Sequence, residues 1–213
     1  MTPTRILVFL TMFFPASLWS QTGNSFSITL DGIIDQDEWA DAKTYSLEKG
    51  GQVKVMADSN NIYVAVSSGD FGWSHVYLNH GATIYVLHAS AALGASVYVL
   101  QDDKTWKATQ SFKYELRNKG MTEEDKNARL SYFQKNGWVG TVTWLHANNH
   151  EFVISRTLFK GKPIRIAAMR AADAQSPHFW PATLKDQTLQ EKLVRGDTPE
   201  VLTFDPATWG SIQ

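Results

Sequence analysis

The chain has 213 residues, no cysteine, and 20 Lys and Arg against 21 Asp and Glu, for a formal charge of -1. A balanced charge without any Lys/Arg run excludes the basic face that nucleic acid or an anionic membrane would require. The lack of cysteine excludes a disulfide-stapled scaffold, so stability has to come from packing.

The first twenty residues carry one basic residue, Arg5, then an apolar run from Ile6 to Phe14, then Pro15-Ala16-Ser17-Leu18-Trp19-Ser20. This pattern predicts a secretory signal peptide over residues 1–20, too short for a transmembrane helix. Residues 21–213 then form one domain, secreted or periplasmic, and long enough to bury a sizeable core. In Ile28 to Ala42 (ITLDGIIDQDEWADA), Ile28 and Leu30 alternate with polar neighbours as a half-buried strand does, and Asp31-Gly32 breaks the run with a turn. Asp35, Asp37 and Glu38 precede Trp39 and Ala42, which reads as a short helical turn with an acidic start and an inward Trp. Asp31, Asp35 and Asp37 suit turn and cap roles, with a structural calcium as the other reading of the same carboxylates. Val53–Ala57 and Ile62–Ser68 alternate around Asp58-Ser59-Asn60-Asn61 and predict a β-hairpin.

This opening resembles that of the family-nine carbohydrate-binding modules and the wider DOMON-like β-sandwiches. There an iDG-x-x-D-x-x-x-W-x-x-A segment precedes a v-x-v-x-x-D-x-x-x-l-Y-v-x-v hairpin, and Asp58 and Tyr63 occupy the marked places here. The match covers residues 26–70. It implies an antiparallel, jelly-roll-like β-sandwich, and relatives of this kind bind sugars, haem or no known ligand.

Phe71 to Leu78 reads as a loop entering a strand that Asn79-His80-Gly81 closes. Ala82 to Leu100 is apolar enough to be tested as a membrane span. His88, Ser90 and Ser96 interrupt it, Gly94 breaks it, and its Thr, Ile, Tyr and Val favour two buried strands around Ser90–Gly94. After a turn at Asp102-Asp103-Lys104, Lys107 to Leu116 alternates as a strand. Thr122 with Asp125 three residues on predicts a helix start, Leu130 and Phe133 its inward face and Gly137 its end, giving one short helix near 122–135. Trp138–Leu145 and Glu151–Ser155 predict a second hairpin, and Ile164–Met169 a central strand. Beyond Arg170 the chain turns polar, with a short helix near Leu189–Val194 and a final apolar run at Val201–Phe204. The fold class is therefore all-β, an antiparallel sandwich with one helix.

Eight Trp, one of them in the signal segment, exceed what a core of this size demands, and an indole edged by polar groups suits the C–H face and hydroxyl rim of a sugar. The residues expected to touch such a ligand are Trp73, Trp106, Trp138 and Trp180, with His75, Arg170 and His178 as polar partners; Trp39 and Trp144 are expected in the core. The function expected is a non-catalytic module for carbohydrate. The six histidines show no short helical ligand pair and read as surface residues. A haem-binding electron-transfer domain is the first alternative, through Met56 or Met169 with His88. An enzyme of unknown reaction is the second: His88 and Ser90 share a strand face, but no G-x-S-x-G elbow and no third orienting group is visible, and Glu115 and Glu151 are isolated acids.

Overall fold

The computed structural model describes residues 28–47, 50–69, 71–110, 122–142, 149–161, 163–172, 177–185 and 199–212. The expected signal segment, Trp144, His146, Glu115 and the helix expected near Leu189–Val194 lie outside them. In chain order the elements are β1 (Lys43–Ser46), β2 (Gln52–Ala57), β3 (Asn61–Ser67), β4 (Trp73–His80), β5 (Thr83–Ala89), β6 (Leu93–Leu100), β7 (Trp106–Gln110), α1 (Glu123–Asn136), β8 (Trp138–Gly140), β9 (Asn149–Ser155), β10 (Ile164–Ala171), β11 (Pro177–Trp180), β12 (Val201–Leu202) and β13 (Gly210–Ile212). Two antiparallel sheets result, one of order β1-β2-β3-β9-β8 and one of order β11-β10-β4-β5-β6-β7-β12, with β13 paired to β10. The chain is an all-β sandwich with one short helix, as its alternation predicts.

The core has three layers because the strands bury both faces. Val53, Val55, Ile62, Val64 and Val66 of the first sheet meet Val76, Leu78, Leu87, Ile166 and Ala168 of the second. On the outer face of the second sheet, Tyr77, Ile84, Val86, Ala167 and Met169 are covered by Leu184, Leu202, Phe204 and Trp209 from the C-terminal part of the chain. On the outer face of the first sheet, Met56, Tyr63 and Ala65 are covered by Trp39. Fully burying a large apolar side chain contributes about 1.5–3 kcal/mol, so each cover is a substantial part of the fold's stability.

The Ala82–Leu100 run is β5 and β6, turning at residues 90–92, and among the described residues no helix is long and apolar enough to cross a membrane. Two expectations fail locally. Ile28–Leu30 forms no strand; the segment is held by side chains, as described below. In α1 the Thr122–Asp125 capping box and the left-handed Gly137 appear as expected, but Arg129 and Tyr132 are buried while Leu130 is 55% exposed. Tyr132 meets Trp138 edge to face at 5.4 Å, and Arg129 Nη1 donates to the Leu30 carbonyl. Phe133 packs against the main core as expected, and the contacts of Arg129 and Tyr132 leave Leu130 alone of the expected pair facing solvent.

Candidate functional site

Five of the seven expected ligand residues fall on three adjacent strands at one end of the second sheet. In the β4–β10–β11 ladder, Ser74 pairs with Arg170 and Arg170 with His178, while His75 pairs with Met169 and Ala168 with Trp180. Registered neighbours share a face. Arg170, His178 and Trp180 therefore point into the sandwich, whereas His75 points outward and Trp73 sits beside Ala171 on that outer face. The two remaining residues are elsewhere and are core. Trp106 is 3% exposed and donates Nε1–H to the Phe204 carbonyl at 2.9 Å. Trp138 is 3% exposed and packs on Tyr132 and Phe152. Neither presents a ring to solvent, because the C-terminal segment covers one and α1 the other.

The histidines expected on the surface at positions 75, 88 and 150 are buried. Inside the sandwich, His150 Nδ1 lies 2.7 Å from Arg170 Nη1 and 2.9 Å from Ser74 Oγ. A guanidinium only donates, so Nδ1 is the bare acceptor and the ring proton sits on Nε2. That Nε2–H is buried without a partner, as are Trp73 Nε1 and His178 Nδ1. Burial, then the Arg170 charge, holds the His150 pKa well below its ordinary value, so the ring stays neutral.

On the outer face a second chain of polar groups runs to the surface. Tyr77 Oη lies 3.3 Å from His75 Nδ1, His75 Nε2 lies 2.8 Å from His88 Nδ1, and His88 Nε2 lies 2.9 Å from Ser90 Oγ. Burial pushes both histidines down, His88 to about 4.

A third polar centre was invisible in the sequence. Glu151, next to His150 but on the opposite face of β9, is fully buried. Its carboxylate accepts from Gly32 N at 2.8 Å, Asp31 N at 3.2 Å and Trp39 Nε1 at 3.2 Å. These bonds fasten the 28–42 segment to the first sheet in place of a strand ladder. Burial raises the Glu151 pKa to about 7 against the pull of the Gly32 and Trp39 donors. Asp31 and Asp35 serve their own turn, accepting from Ile33 N and from Asp37 and Glu38 N.

A concavity lies at the sandwich edge, between β1 and β2 on one side and β10 and β13 on the other. It holds about 230 Å³ and is lined by Asp41, Lys43, Tyr45, Val55, Met56, Ala57, Ile166, Ser211 and Ile212. Tyr45 is stacked on Trp180 with ring centroids 4.1 Å apart and planes 29° apart, so Trp180 backs the groove's one aromatic wall.

Among the described residues no three His, Asp or Glu side chains are placed to share a metal ion. Met169, His75 and His88 stand side by side in one row, and Met56 is on the far face of the other sheet.

No family model, curated protein or solved structure matches this chain.

Proposed function

We propose that this protein is an exported binding module whose ligand is a carbohydrate unit seated in the edge groove beside Tyr45. The resemblance of residues 26–70 to family-nine carbohydrate-binding modules and DOMON-like sandwiches supports that class, and the signal-like residues 1–20 support export. The observation that carries the reading is the composition of the groove: one braced aromatic ring and an apolar floor of Val55, Ile166 and Ile212, edged by Asp41, Lys43 and Ser211. A sugar ring needs such an apolar platform for its C–H face and a polar rim for its hydroxyls. About 230 Å³ is below the range typical of drug-sized ligands, so the groove suits one small ring, as at a chain end. Trp180 contributes through Tyr45, by fixing the ring plane, rather than as a solvent-facing platform.

The experiment is calorimetry of the mature chain against mono- and oligosaccharides chosen from a glycan array. Tyr45→Ala is expected to weaken binding about tenfold or more, equivalent to about 1.4 kcal/mol, and Trp180→Ala to weaken it less. A blank array ends the carbohydrate reading, and Tyr45→Ala binding as the wild type does ends the groove's part in it.

A further inference from the structure

We propose that Ser90 is a nucleophile that takes an acyl group from an activated ester, with His88 as its base and His75 as the positioning residue behind His88. The three side chains meet the geometric requirement for an activated serine: nucleophile to base 2.9 Å, base to orienting group 2.8 Å. They come from one construction. Ser90 follows β5 by one residue and keeps the face of His88, and His88 is directly opposite His75 on β4. Opposite His88 on the other side is Gly94 of β6, so no side chain crowds the ring from there. His75 is fully buried and His88 is 5% exposed, while Ser90 lies partly exposed in the turn. A partly exposed serine is thus backed by a sequestered base.

The proton order follows from the distances. Ser90 Oγ lies 2.9 Å from His88 Nε2 but 3.3 Å from the Ala92 carbonyl, its other acceptor, so the hydroxyl proton goes to His88. Then His88 Nδ1–H donates to His75 Nε2 and His75 Nδ1–H to Tyr77 Oη. In the reaction Ser90 Oγ bonds to the ester's carbonyl carbon as its proton passes to His88 Nε2. The carbon–oxygen bond to the alcohol breaks, and the alcohol leaves with that proton, giving acyl-Ser90. No oxidant or second reactant is required. The described hydrogen bonds around the turn give no pair of N–H donors converging on an oxyanion, so the inference covers activated donors and not peptide or amide cleavage.

The test is incubation of the full chain with p-nitrophenyl acetate and, separately, a fluorophosphonate, read by intact mass and peptide mapping. One adduct at Ser90 is expected, absent in Ser90→Ala. His88→Gln should slow acylation by at least about 100-fold. His75→Leu should slow it too, and His75→Gln, whose side-chain carbonyl still accepts from His88 Nδ1, should restore most of the rate. If a histidine variant does not fold, the wild-type pH profile decides. His75 and Ser90 are hydrogen-bonded to His88, and His150 is near enough to interact with it by charge; the rate should hold down to about pH 5 and fall as His88 gains a proton near 4. No adduct, adducts scattered over other serines, or a His88→Gln rate equal to wild type overturns the proposal. A blank sugar screen has no bearing on it.

Discussion

Replacing Glu151 by Gln separates what its charge does from what its shape does. The carboxyl has an ordinary value of 4.5 and is raised to about 7 in the folded chain. Between those values the native state holds a proton that the unfolded state has released, so stability falls as pH rises from about 4.5 to 7. The gap corresponds to about 3 kcal/mol in full, of which about 2.5 kcal/mol lies between pH 5 and pH 8. The buried histidines act in the opposite sense. His88 is lowered from 6.5 to about 4, so its contribution is present above 6.5 and lost as pH falls toward 4, by about 3 kcal/mol. The two slopes cancel in part, and the wild-type profile alone will not isolate Glu151. The difference between wild type and Glu151→Gln will. The amide keeps the volume and one acceptor but turns an NH₂ toward the Gly32, Asp31 or Trp39 donors, which costs about 1–3 kcal/mol at any pH. The variant should therefore be clearly less stable than wild type at pH 5 and draw closer to it by pH 8, the gap shrinking by about 2.5 kcal/mol. Urea titrations followed by Trp fluorescence at four pH values measure this. Parallel curves would show that Glu151 does not titrate in the folded chain and refute the reasoning.

Trp39→Phe removes the Nε1–H donor to Glu151 while keeping most of the apolar volume; it should cost about 1–3 kcal/mol and push the Glu151 titration to higher pH, read in the same series. Gly72→Ala would place its new methyl on the Ala171 carbonyl oxygen, forcing β4 and β10 apart; a loss of several kcal/mol, or failure to express in folded form, is expected by circular dichroism. His150→Ala deletes the acceptor that Arg170 Nη1 and Ser74 Oγ share and should lower stability by about 3 kcal/mol in urea. Thr122→Ala breaks the capping box of α1 at about 1 kcal/mol.

Period and punctuation are local, and what they govern was legible. The hairpin of β2 and β3, the splitting of Ala82–Leu100 by Ser90 and Gly94, and the Thr122–Gly137 boundaries of α1 follow from residues within a few positions of one another. The inward Trp39 was legible for the same reason. The polar centres were not, because each joins residues far apart: Glu151 binds amides 119 and 120 positions away, and Arg170 Nε reaches Ser68 across 102. One signal was available and unread. In β9, His150 occupies the alternate position shared by Phe152 and Ile154, both fully buried, so the strand's period already placed an imidazole in the core. Phe133 was read correctly and packs on the core, but Leu130 misled because a 3.6-residue period cannot foresee the contacts that rotate α1, Arg129 on the Leu30 carbonyl and Tyr132 on Trp138.

Ser74 with His75, and His150 with Glu151, are consecutive pairs on neighbouring layers, and a strand sends consecutive side chains to opposite faces. Two dipeptides therefore serve three polar centres: the latch on the outer segment, the His150–Arg170 cluster inside, and the Ser90 chain on the far side. A one-residue slip of β4 would move Ser74 and His75, and one of β9 His150 and Glu151, to the wrong layer and bury apolar side chains against polar ones. The buried polar groups thus penalise misregistered pairings that the valine-rich strands alone would tolerate, since Val and Ile pack acceptably on either face. The same arrangement keeps the chemistry of the two faces separate. The Ser90 chain lies beyond the second sheet from the groove beside Tyr45, and Met169, in its row, is three residues along β10 from Ile166 in the groove wall. Substitutions at Tyr45 and at Ser90 should therefore act independently, each leaving the other's readout unchanged.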